Sequence, residues 1–132
     1  ALSDQNTAEY LEAATAIEKA LLLYAPGDTL QVARASALLA EVVVRHERIT
    51  GWRNLRRAQH AIQAARAKGP PDDQTRTLLA LLAAEVAART GDPVALSTEL
   101  SRACTTGTDP DRVSDRAAAL APNLGFACRP LP

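Results

Sequence analysis

Aromatic side chains are nearly absent: one tryptophan, one phenylalanine and two tyrosines in 132 residues. Proteins that hold single-stranded nucleic acid stack bases on exposed aromatics, so this scarcity weighs against that class. Net charge is missing too. Fifteen basic and fifteen acidic side chains sum formally to zero, which disfavours bulk attraction to nucleic acid or to a membrane surface. No apolar run is long. The longest window, Leu78–Ala84, falls far short of the ~20 residues that cross a bilayer, so the chain reads as soluble, with no membrane span. Methionine is absent even at position 1, which implies an N-terminus made by processing or trimming. A removed signal peptide, or a lipid tether at that end, is compatible with the sequence, although no charged-then-apolar leader remains.

What is present is globular in kind. Apolar residues make up 47% and charged residues 23%, a balance unlike that of disordered chains. The length fits one domain, able to bury roughly two-thirds of its unfolded surface. Arginine outnumbers lysine 13 to 2 and 28 residues are alanine, a usage that points to a GC-rich bacterial coding bias. The charge is banded. Residues 1–44 carry two basic and six acidic groups, residues 45–68 seven and one, and residues 69–132 six and eight. A basic band thus lies between two mildly acidic flanks that could pair with each other.

Proline, glycine and aspartate punctuate the chain into about six helices and no strands, an all-α fold. Helix one, about Thr7–Tyr24, places Tyr10, Ala13, Ala14, Ile17, Ala20, Leu21 and Tyr24 on one face. Ala25-Pro26-Gly27 ends it. Asp28 or Thr29 caps helix two, whose expected core stripe is Ala35, Leu38, Leu39, Val42 and Ile49. Thr50-Gly51 separates it from helix three, about Trp52–Ala67, which Gly69-Pro70-Pro71 stops. Asp72 or Asp73 caps helix four, about Gln74–Thr90. Its segment Leu78–Ala84 is apolar on every side, so this helix should be the most buried. Gly91-Asp92-Pro93 combines a C′ glycine, an N-cap aspartate and an N1 proline. Helix five runs to about Cys104. After Thr105-Thr106-Gly107-Thr108, Asp109-Pro110 starts helix six, which ends near Ala121. Residues 1–121 are expected to form the single domain, and 122–132 an irregular proline-rich tail.

Ala58, Ile62, Ala65 and Pro70 in helix three follow one another at offsets of four, three and five. Leu96, Leu100, Ala103 and Thr108 repeat those offsets in helix five. Helix one gives Ala13, Ile17, Ala20 and Ala25. The pattern resembles the second-helix signature of tetratricopeptide (TPR) repeats, in which small residues let paired helices approach closely. The intervals between Ala20, Ala65 and Ala103 are uneven, and the family's first-helix signature of tryptophan, leucine-glycine and tyrosine is absent. An irregular helical bundle is the alternative architecture. The resemblance implies that helices two and four line a binding groove, with Arg34, Glu41, Arg45, Arg48, Arg76, Glu85 and Arg89 as its exposed candidates for contact with a protein partner. Taken singly, each also reads as part of a solvated helix face.

In helix three, Arg53, Arg56, Arg57 and His60 fall at i, i+3, i+4 and i+7 and should share one face. Trp52, Leu55, Ala58, Ile62 and Ala65 make the opposite, apolar stripe, with Trp52 packing at the corner between helices two and three. Four basic groups together could grip a phosphate or another anion. They could equally be solvated, or pair with Glu9, Glu12 and Glu18 of helix one.

Cys104 and Cys128, the only cysteines, follow neither metal-site spacing nor a CxxC pattern. Helix six carries the chain ~18 Å from the end of helix five, and the residues from Pro122 can return ~20 Å if extended. A disulfide that pins the tail therefore fits, and with it a periplasmic or otherwise extracytoplasmic setting. The alternative is two thiols in a reducing cytoplasm, with Cys104 buried. Neither histidine belongs to an HExxH pair, and Asp72-Asp73, Asp109 and Asp111 sit at helix starts, where aspartate caps. Neither a GxSxG elbow, a phosphate-cradling glycine loop nor an EF-hand loop occurs. The sequence thus points to a non-enzymatic adaptor or assembly factor without cofactor or metal, binding another protein. The alternative is an anion- or nucleic-acid-binding protein using Arg53, Arg56, Arg57 and His60.

Overall fold

The computed structural model describes residues 2–25, 27–70, 72–106, 109–126 and 128, with the side chains of 2–6 excepted. Expectations that fell on Pro26, Pro71, Gly107, Thr108 and the tail beyond Cys128 lie outside these residues. Among the described residues there are six α-helices and no strand. Two compact units divide the chain, Ala1–Pro71 and Asp72–Pro132.

The first unit holds α1 (Leu2–Leu23), α2 (Thr29–Thr50) and α3 (Leu55–Ala67). α2 is in contact with both of the others. Its contact positions are small: Ala33, Ala37, Ala40 and Val44 are essentially inaccessible to solvent. Small side chains let helix axes approach closely, which a stripe of leucines would prevent. The expected stripe of α2 is therefore corrected. Leu38 and Ile49 remain 47% and 53% exposed, and Ala35, Leu39 and Val42 are half-buried. In α3 the expected residues do pack, with Ala58, Ile62 and Ala65 all buried.

The α2–α3 turn is organised by one residue. The Glu47 backbone carbonyl accepts from the amides of Gly51 and Trp52. Its buried side chain accepts from the Asn54 amide through Oε1. Asn54 then caps α3 by accepting from Arg57 N at 3.1 Å. Gly51 and Trp52 both have positive φ, 85° and 61°, a left-handed conformation that glycine adopts freely and tryptophan rarely does. Trp52 was expected on the helix; it lies instead in the turn, half-buried, and α3 starts three residues later.

The second unit holds α4 (Asp73–Thr90), α5 (Pro93–Thr105) and α6 (Pro110–Leu120), followed by a 3-10 turn over Pro122–Leu124. α4 buries Leu79, Ala80, Leu81, Leu82, Ala84, Val86 and Ala87, more apolar residues than any other described helix. Asp72 caps it by accepting from Thr75 N at 3.1 Å. The α4–α5 turn follows the sequence closely: Gly91 has φ 74°, the Asp92 carboxylate accepts from Ala95 N, and Pro93 opens α5. Thr77, near the start of α4, hydrogen-bonds Thr106, just past the end of α5. The two helices therefore run antiparallel. Leu96, Leu100, Ala103, Val113 and Ala117 complete a core with Ala80, Leu81, Ala84 and Ala87. Asp109 caps α6 by accepting from Arg112 N.

Cys104 and Cys128 are joined by a disulfide, with Cα atoms 5.4 Å apart. Phe126 and Cys128 rest against the core cluster, and the Cys128 amide donates to Ser114 Oγ. The start of the expected irregular tail holds a short 3-10 turn, and the disulfide expected to pin it is present.

Candidate functional site

The α1/α2 pair leaves an open seam on its outer side. On α1 the residues that line it are Glu9, Tyr10, Ala13, Ala16, Ile17 and Ala20, which share one helix face, with Tyr24 just past its end. On α2 they are Gln31, Arg34, Ala35, Leu38, Val42, Arg45, His46 and Ile49, again at helical period. Four of the five residues in the expected α2 stripe are in this set. The hydrophobic period is real, but it faces an open cleft and not the core.

Two hollows follow each other along the seam. One, of about 190 Å³, lies between Glu9, Tyr10 and Ala13 on one side and Val42, Arg45, His46 and Ile49 on the other. The next, of about 330 Å³, is bounded by Ile17, Ala20 and Tyr24 across from Arg34, Ala35 and Leu38. Tyr10 pairs with the end of α2 and Tyr24 with its start, so α1 and α2 are antiparallel. Tyr10 and Ile17 are seven residues apart, two turns or ~10 Å of helix. Apolar side chains presented at about that spacing would seat one in each hollow.

The first hollow has an ordered aromatic wall. Tyr10 stacks on His46 with centroids 4.1 Å apart and planes inclined by 17°. The Arg57 guanidinium of α3 lies 5.7 Å from the Tyr10 centroid, within cation–π reach. His46 Nδ1 is buried and has no hydrogen-bond partner among the described residues. Tyr10 and His46 are 36 positions apart on separate helices. Nothing in either residue's local spacing shows that they meet.

The basic face of helix three is only partly assembled. Arg53 belongs to the turn before α3, so the four residues do not share one helix. Arg56 and His60 remain exposed on α3, while Arg57 is directed at Tyr10.

The seven expected groove residues fall in both units. Arg34, Glu41, Arg45 and Arg48 belong to the first unit, Arg76, Glu85 and Arg89 to the second. Glu41 and Arg45 are one helical turn apart and approach to 3.7 Å. Such an exposed pair contributes well under ~1 kcal/mol. Arg76 pairs with Asp73 in its own first turn. Arg48 and Arg89 are exposed. Glu85 is the clear correction: it was expected on the surface, yet its side chain is 3% exposed and meets Arg116 of α6 at 2.9 Å. A carboxylate can be buried there because a guanidinium from the next-but-one helix accompanies it.

Among the described residues, no three His, Cys, Asp or Glu side chains converge as a metal site requires. No described helix is long and apolar enough to cross a membrane. The chain matches no protein-family model, and no curated protein or solved structure is significantly similar to it.

Proposed function

We propose that the chain is a non-enzymatic helical interaction module of an oxidising, extracytoplasmic compartment, and that it docks a protein helix along the α1/α2 seam. The observation that carries this reading is the exposed amphipathic stripe itself. Two hollows in line, with Leu38 and Ile49 about half exposed beside them, form a face suited to apolar anchors at helical spacing. The Cys104–Cys128 disulfide supports the compartment. A hairpin-repeat ancestry remains part of the proposal and rests on the spacing of Ala58, Ile62 and Ala65 and of Leu96, Leu100 and Ala103.

A photo-crosslinking residue at Leu38, compared with one at Ser101 on the exposed side of α5, tests the docking surface in cells. An adduct confined to position 38 and removed by Val42→Glu is the expected result. Equal labelling at both positions, or none at 38, refutes it. For the compartment, thiols are counted under denaturing, non-reducing conditions; two free thiols in freshly isolated protein would contradict it.

A further inference from the structure

We infer that the partner helix held in the α1/α2 seam runs on into an acidic segment, which lies against Arg53, Arg56 and Arg57 at the start of α3; this rests on reading the seam as a docking surface. Arg53 stands in the turn, and Arg56 and Arg57 in the first turn of α3. All three are exposed, and none forms an ion pair with another described residue. The acids that could neutralise them are engaged or absent. α3 contains no acidic residue. α2, the helix packed against it, has Glu41, which faces Arg45, and Glu47, which is buried with its carboxylate on the Asn54 amide. Among the described residues, the pairing with Glu9, Glu12 and Glu18 that the sequence allowed is not made. Arg56 and Arg57 also stand where a cation is least favourable, at the positive end of a helix dipole. α4 and α6, by contrast, each carry an aspartate in that turn. An acidic segment would satisfy the guanidiniums and the dipole together.

The cluster adjoins the seam. The Arg57 guanidinium lies 5.7 Å from the ring centroid of Tyr10, which lines the first hollow, and Ile49 of that hollow is four residues before Arg53. Glu9 is the one acid lining this hollow, against Arg45 there and the three arginines beside it, so the charge at this end selects an acidic occupant. Polypeptide is favoured over nucleic acid because Trp52 and Tyr10, the aromatics nearest the cluster, are half-buried and offer no open stacking platform. Exposed ion pairs are individually weak. The acidic segment therefore steers association and fixes which end of the partner lies over the first hollow.

Fluorescence anisotropy of labelled oligoglutamate with the full chain tests the basic cluster, with oligoglutamine as control. The glutamate chain should bind at low salt, weaken as salt rises, and the glutamine chain should not bind. Arg53→Glu/Arg56→Glu should weaken binding at least ~10-fold. Lys19→Glu/Arg112→Glu, the same change in formal charge at exposed positions elsewhere, should bind like wild type. Arg56→Glu alone should melt no lower than wild type, because it sets an anion at the positive end of α3; misfolding then cannot explain lost binding. Oligoglutamate that fails to bind at low salt, or an equal loss in both double variants, would overturn the acidic segment. So would a DNA duplex held through the same arginines at salt where oligoglutamate is released. The crosslinker at Leu38 separates the two readings. An adduct at 38 that weakens in Arg53→Glu/Arg56→Glu supports both. One that is removed by Val42→Glu yet unchanged in that double variant overturns the acidic segment and spares the seam. Oligoglutamate binding with no adduct at 38 overturns the seam, and with it the attachment of the acidic segment.

Discussion

Arg116 reaches from α6 to Glu85 on α4, closing an ion pair at 2.9 Å whose carboxylate side is almost wholly buried. The exposures are unequal: 38% for the arginine side chain and 3% for the glutamate. Losing the cation takes a charged partner away from a buried carboxylate, whereas losing the anion leaves an arginine that can turn to water. Arg116→Met should therefore cost about 2–4 kcal/mol in urea unfolding, and Glu85→Met/Arg116→Met together should cost less than Arg116→Met alone. A double variant worse than the single would mean that the pair is not what matters at this site.

Reduction of Cys104–Cys128 should lower stability by roughly 3 kcal/mol, from the entropy returned to an unfolded loop of this length. The strap that carries Phe126 should loosen with it. Limited chymotrypsin digestion provides the readout: cleavage after Phe126 should be slow in the oxidised protein and fast in the reduced protein or in Cys128→Ser.

The α4–α5 turn separates two local effects. Nothing lies within 4 Å of where a Gly91 Cβ would stand, so Gly91→Ala measures only the positive φ of 74°, about 1 kcal/mol. Asp92→Ala removes the acceptor of the Ala95 amide and should also cost about 1 kcal/mol. Thermal melts of both single variants and the double would test these values.

Close packing in the first unit depends on alanine. Ala65 is wholly buried, so Ala65→Leu should overpack the α3 contact and destabilise by about 1–3 kcal/mol. Ala67→Leu, at an exposed position of the same helix, should stay within about 0.5 kcal/mol of the parent. Equal stability of the two would show that α3 has room to move aside.

These contrasts mark what the sequence makes legible. Gly91-Asp92-Pro93 was readable because cap, turn and proline act within four residues of one another. The stripes of α3 and α5 were readable because each helix has a distinct buried face. α2 was misread for a physical reason: weight given to large aliphatic side chains favours Leu38, Val42 and Ile49, whereas close helix contact selects Ala33, Ala37 and Ala40. Trp52 looked like a helix residue because its left-handed φ is set by the Glu47 clasp across the turn and not by its own preference. Glu85 and Arg116 are 31 positions apart, and Tyr10 and His46 are further still. Pairs of that kind are made by the fold, and no local period announces them.

The disulfide has one more consequence, and it concerns damage. Residues 104 to 128 form a covalent ring that contains the whole of α6. A single peptide cut anywhere inside that ring releases no fragment, because both pieces stay joined through the sulfurs. A nicked molecule would keep its mass in a non-reducing gel and separate only when reductant is added. The segment after α5 can be cut once and still be held in place.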